Sequence, residues 1–200
     1  MRGKRAFLGL LFALWASAAS AQFAEDERHI VSDLVSGMGS ASNMEEMKAV
    51  LLRDLDVASL AESAIREGLG DKAGTVDPGQ VSRFSGAVLR YLSWQALYVM
   101  DGGNSKTRIS AGQRGRDIAA VFLSSAEGLN SRSGTQVVFR FGSDKRTGAP
   151  KVHDLNVAGV WISATLAEAV SQIMAMEGAD LDLVSEGFEQ SASQSWERNP

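Results

Sequence analysis

The chain has 200 residues and no cysteine, and its 20 basic residues stand against 24 acidic ones for a formal net charge of −4. The absence of thiols excludes disulfides, thiolate metal sites, a cysteine nucleophile and lipid attachment to an N-terminal cysteine. The acidic balance argues against nucleic-acid binding through phosphate neutralisation, and a chain of this length buries roughly 70% of its unfolded surface as one domain, so no second domain is required.

Arg2, Lys4 and Arg5 precede an apolar run from Ala6 to Trp15, and Ala19-Ser20-Ala21 offers the small residues of a cleavage site. Residues 1–21 are expected to be a cleaved secretory signal. The run is shorter than the ~20 apolar residues that span a bilayer, so a soluble mature chain should begin near Gln22. Losing three of the 20 basic residues leaves 17 against 24 acidic, a net charge of −7.

From Ala24 to Met38, Ile30, Val31, Leu34, Val35 and Met38 recur at helical spacing behind an acidic first turn, and the stretch Gly39 to Asn43 is expected to break that helix. Met44, Met47, Val50, Leu51 and Leu55 mark a second helix capped by Ser42 or Asn43. Asp56 caps a short third through Leu60, Ala64 and Ile65 to Gly68-Leu69-Gly70. Asp77-Pro78-Gly79-Gln80 places a cap, a proline at the first helical position and a glutamine at the third. A helix of about 24 residues follows through Phe84, Tyr91, Leu92 and Val99 and stops at Asp101-Gly102-Gly103-Asn104.

The period then changes. Thr107–Ala111, Ile118–Ser125, Thr135–Phe141 and Val152–Val160 read as four antiparallel strands, followed by helices over Thr165–Met176 and Leu181–Phe188 and a mobile tail over Ser191–Pro200. This order implies an α+β domain over residues 22–190, with helices packed on one face of a curved four-stranded antiparallel sheet. Gly159 stands where the backbone must bend or be closely approached.

His29 and His153 are the only histidines. Neighbours in a strand, His153 and Asp154 point to opposite faces, and no G-x-S-x-G elbow accompanies them. Catalysis is not expected, His153 reads as a structural wall residue, and neither a metal site nor a cofactor is indicated. Lys106 and Arg108 lie in a locally basic region that serves either as a charged strand edge or as a rim for lipid phosphate or an acidic partner. Tyr91, Leu92, Phe122, Val137, Phe139, Val157 and Ile162 would line a cavity or fill a core equally well.

Lys151-Val152-His153-Asp154-Leu155-Asn156-Val157-Ala158-Gly159-Val160 resembles the strand-to-helix signature of the MlaC-type periplasmic phospholipid shuttles, the toluene-tolerance family. Leu55 to Ala61, Leu69-Gly70, and Pro78, Gln80, Phe84 and Tyr91 are similar to that family's earlier segments. The chain departs where Asp71-Lys72 replace an aromatic residue, where Trp161 replaces a serine, and in Ala167, Glu168 and Ala169. The resemblance implies a non-enzymatic periplasmic carrier with an enclosed apolar pocket for the tails of a phospholipid. It also implies an inner-membrane ABC-type transporter complex and an outer-membrane lipoprotein complex as partners. The Trp161 departure raises another hydrophobic ligand, such as a hopanoid or fatty acid, and a small hydrolase using His153 is the competing class.

Overall fold

Residues 25–101, 106–109, 117–123, 134–144, 147–176 and 179–197 are described by a computed structural model; along 98–101, 106–109, 117–123, 134–136 and 194–197 the backbone alone is described. The expected signal, residues 1–21, lies outside them. No helix among the described residues is long and apolar enough to cross a membrane.

Helix α1 covers 25–40, passing its expected end at Met38 through Gly39 and Ser40, and buries Val31, Leu34 and Val35. Helix α2, Met44–Asp54, is capped by Asn43, which accepts the Glu46 N–H at 3.0 Å. Glu46 reaches back to the Ser42 N–H at 2.8 Å and its hydroxyl at 2.9 Å. This reciprocal box holds the Glu46 carboxyl below the usual carboxylate range, chiefly through the Ser42 N–H.

Helix α3, Val57–Leu69, is capped by Asp56, which accepts from the Ser59 N–H at 3.0 Å and hydroxyl at 2.8 Å. After a 3₁₀ turn over Gly70–Thr75 comes α4, Pro78–Asp101, whose first turn gives the Gly79 and Gln80 N–H groups to Asp77 at 2.8 and 3.3 Å. Its 24 residues match the length expected from the apolar spacing.

Strands β1 (Lys106–Ile109), β2 (Asp117–Leu123), β3 (Gly134–Ser143), β4 (Pro150–Val157) and β5 (Val160–Trp161) form one antiparallel meander in chain order. The α+β class and the antiparallel sheet hold, whereas the four-strand count does not, because the run from Val152 to Val160 is not continuous. Ala158 (φ 52°) and Gly159 (φ 93°) take the left-handed conformations of a two-residue hairpin turn that pairs Val157 with Val160. Of the two reasons a glycine was expected at 159, the bend applies, since nothing lies within 4 Å of where its Cβ would sit.

Helix α5, Ile162–Met174, starts before the expected Thr165, and α6, Leu181–Glu197, continues past Phe188 into the expected tail, with Ala192 buried. α3 lies along α5, while α4 lies against α2, α3 and α6; the sheet is met by α3 and α5 at β4 and by α5 at β5. Between α4 and α6, Phe188 makes T-shaped contacts with Phe84 and Tyr91 at centroid separations of 6.0 and 5.2 Å. Arg83 grips Asp182 through two hydrogen bonds of 2.7 and 2.8 Å, which hold the Asp182 carboxyl below its usual range.

The α3–α5 contact depends on Gly68: a Cβ there would stand 2.6 Å from the Ala167 carbonyl oxygen and 2.9 Å from the Val170 Cβ. Backbone cannot yield as a flexible side chain can. Gly68→Leu should therefore lower stability to urea by ~1–3 kcal/mol through overpacking, while Gly74→Ala, made where nothing lies within 4 Å, should change the midpoint little.

Candidate functional site

The register of β3 against β4 slips once. Arg140 pairs with Asp154 and Phe141 with Val152, which leaves His153 as an extra residue in β4, a β-bulge. Side chains alternate faces along a strand, so the bulge rephases β4. Val137 opposite Val157, Phe139 opposite Leu155, and Phe141 opposite Val152 thereby share one face, and Val160 extends it through its pairing with Val157.

That apolar face runs from core to solvent. Val152 is buried and bridged by the backbone of Leu55, Phe141 is buried, and Phe139 is 2% exposed. Leu155 and Val137 are half-buried, whereas Val157 is 36% and Val160 57% exposed. Among the described residues the face is open at this end, not enclosed.

Of the residues expected to line a pocket, Val137, Phe139 and Val157 are therefore brought together. Ile162 opens α5 directly after β5 and packs against the same core. Tyr91 and Leu92 join that core from α4, with Tyr91 set against Phe188. Phe122 is paired with Thr107 and Thr135, Lys106 with Leu123 and Arg108 with Val121 along the backbone; their side chains lie outside the described residues, so neither the lining role of Phe122 nor the basic rim is described. Leu155, Phe141 and Val160 are additional members of the face. Their apolar character is plain in the sequence, but membership depends on a bulge that carries no composition signal.

The opposite face carries Arg140, Asp154 and Asn156 beside Val138 and Trp161, and it orders the start of α5. Asp154, 5% exposed, accepts from the Leu155 N–H at 2.8 Å, the Ser163 N–H at 3.1 Å and the Ser163 hydroxyl at 2.6 Å. Trp161 occupies the cap position of α5 with no side-chain cap bond of its own, so a carboxylate from β4 performs the capping from nine residues upstream. The negative charge sits at the favourable end of the helix dipole. Arg140 lies over the Trp161 ring with its guanidinium carbon 3.7 Å from the centroid, and its Nη1 is 3.9 Å from Asp154 Oδ2. The tryptophan that departs from the family pattern is thus occupied by Arg140 and is paired with Asn156, not with the apolar residues.

His153 and Asp154 serve different partners. The imidazole packs over Gly142, where a Cβ would collide with the ring, and its Nε2 is buried 3.4 Å from Asp56 Oδ2 without forming a hydrogen bond. The neighbouring carboxylate is taken up by Ser163. No group of three or more acidic or histidine side chains suited to a metal ion occurs among the described residues.

A separate cavity of about 570 Å³ opens between the end of α3, the 3₁₀ turn and the α5–α6 connection. Leu69, Val76, Met174 and Leu181 give it apolar walls, and Lys72, Gln80 and Asp180 add polar groups. None of the residues expected to line a pocket borders it.

The backbone arrangement has a counterpart among solved structures. A phospholipid-binding protein from Ralstonia solanacearum, solved in complex with a phospholipid, superposes with a TM-score of 0.60 over 85% of this chain and 96% of its own, at 13% sequence identity. The two proteins share a fold. No family model matches the sequence, and no curated protein matches it either.

Asp154→Ala would leave two Ser163 donors without their acceptor. It should cost ~1–3 kcal/mol in urea unfolding, the usual penalty for stranding buried polar groups. Ser163→Ala should cost less, and the double variant less than the sum of the two, because both changes dismantle one interaction.

Proposed function

We propose that this chain is a non-enzymatic carrier that shelters the acyl tails of a phospholipid and moves it between membranes. The observation that carries the reading is the shared fold with a phospholipid-binding protein, joined to a sheet face that stays apolar from Val152 to Val160. Export to the periplasm, suggested by residues 1–21, suits the role, as does exchange with an inner-membrane ABC-type transporter and an outer-membrane lipoprotein complex.

Energetics favour a non-covalent mechanism. At ~0.8 kcal/mol per buried methylene, two tails of about sixteen carbons represent roughly 25 kcal/mol of gross burial before ordering costs are subtracted. Release into water would be very slow, so delivery requires an acceptor as apolar as the carrier. A hydrolase would need an accessible base and nucleophile acting together; His153 Nε2 is buried beside Asp56 without a hydrogen bond, and the Ser163 hydroxyl held by Asp154 is buried at the start of α5.

Protein purified from bacterial membranes and extracted with organic solvent should release diacyl phospholipid near one equivalent, with no accompanying lysolipid. Val157→Trp places a large ring on the partly exposed end of the apolar face, so it should retain the wild-type melting temperature while at least halving bound lipid. His153→Ala should leave lipid content unchanged. Wild-type protein that emerges lipid-free, or that accumulates lysolipid, would remove the carrier reading.

A further inference from the structure

We propose that the tip of the β4–β5 hairpin, built from Val157, Ala158, Gly159, Val160 and Trp161, is the part of the protein that touches a lipid bilayer while a tail is taken up or delivered. The proposal rests on the carrier reading for its purpose, but the contact itself is independently measurable. Val157 and Val160 are cross-strand partners directly beside the turn, and they are 36% and 57% exposed. Two β-branched side chains held together in water by a tight turn form a small apolar prow. They also continue the row begun by Val137, so the exposed end and the buried core are joined by one apolar face.

The neighbouring groups suit a bilayer surface. Trp161 is half-buried beneath an Arg140 that is 48% exposed, and amphipathic tryptophan and snorkelling arginine favour the headgroup level of membranes. Asp154 lies 3.9 Å from the Arg140 guanidinium, so the tip carries little net charge on a chain whose total is −4. A zwitterionic surface is therefore favoured over an anionic one.

A protein partner fits less well. Strand β5 has two residues, too few to template strand addition by a second copy or a peptide. Two valines and the margin of one indole also fall far short of the ~1,200 Å² that a stable protein interface buries. A weak, reversible contact with lipid needs no such area.

The full mature protein should float with phosphatidylcholine vesicles in a density gradient, and replacing one third of the lipid by phosphatidylglycerol should not increase the bound fraction. Val160→Asp should lower that fraction about tenfold, as expected when one valine's burial is lost. It should also slow uptake of fluorescent phospholipid from the vesicles while leaving the melting temperature at its wild-type value. Val160→Thr keeps the branched shape and should give a smaller loss in the same direction, covering the case in which the aspartate perturbs folding. Wild-type flotation and uptake rate in both variants would overturn the proposal, as would a wild-type protein that never floats. A change in mass by size exclusion with flotation unchanged would assign the tip to self-association and overturn it too. Lipid-free wild-type protein that still floats through Val160 would sink the carrier reading and leave the membrane contact standing.

Discussion

The Asp154 carboxylate is the junction on which the second half of the molecule depends. A buried carboxylate is tolerated when its oxygens are filled by donors, and here the Ser163 N–H and hydroxyl and the Leu155 N–H fill them. The arrangement gives α5 the acceptor that Trp161 cannot supply and fixes where the helix leaves the sheet. The position of α5 then decides whether Ala167 and Val170 can meet Gly68 on α3, and α3 is in turn the helix whose capping segment bridges β4 through Leu55. Sheet, α5 and α3 thus close a ring in which each contact presupposes the others.

Local chemistry in the sequence is enough to place the helical half. Asn43 with Glu46, Asp56 with Ser59, and Asp77 before Pro78 are signals within four residues of the groups they satisfy, and all three caps form. What lies beyond local reach is carried by distant partners. The start of α5 was expected at Thr165 because its cap is on another strand, and the fifth strand was absorbed into the fourth because Ala158, which is not a usual left-handed residue, shares the turn with Gly159. The continuation of α6 beyond Phe188 has no capping signal behind it; Ala192 is buried there.

The candidate site divides in the same manner. Val137, Phe139 and Val157 could be named from their apolar alternation, yet only the strand register shows that they share a face with Leu155, Phe141 and Val152. Trp161 raised a different hydrophobic ligand because it stands where the family pattern has a serine, whereas its ring lies under Arg140, on a different strand. Composition identified the material of the face, and pairing decided its membership. The gradient of exposure along it, from Val152 to Val160, gives the face a dry end and a wet end, which an apolar list alone could not convey.

The bulge at His153 gives β4 a parity. Changing the residue alters a ring that rests on Gly142, whereas removing it would take away the extra residue itself and leave Val152, Asp154, Leu155, Asn156 and Val157 in unbroken alternation. Val152, Leu155 and Val157 would then keep their common face, and Asp154 would stay on the side of Ser163. The face is lost only if His153 is drawn into the ladder: with Val152 kept in the core, regular alternation through 153 sends Leu155 and Val157 outward and swings Asp154 toward the hydrophobic side. Strand β4 thus depends on that residue staying out of the pairing, not on its presence.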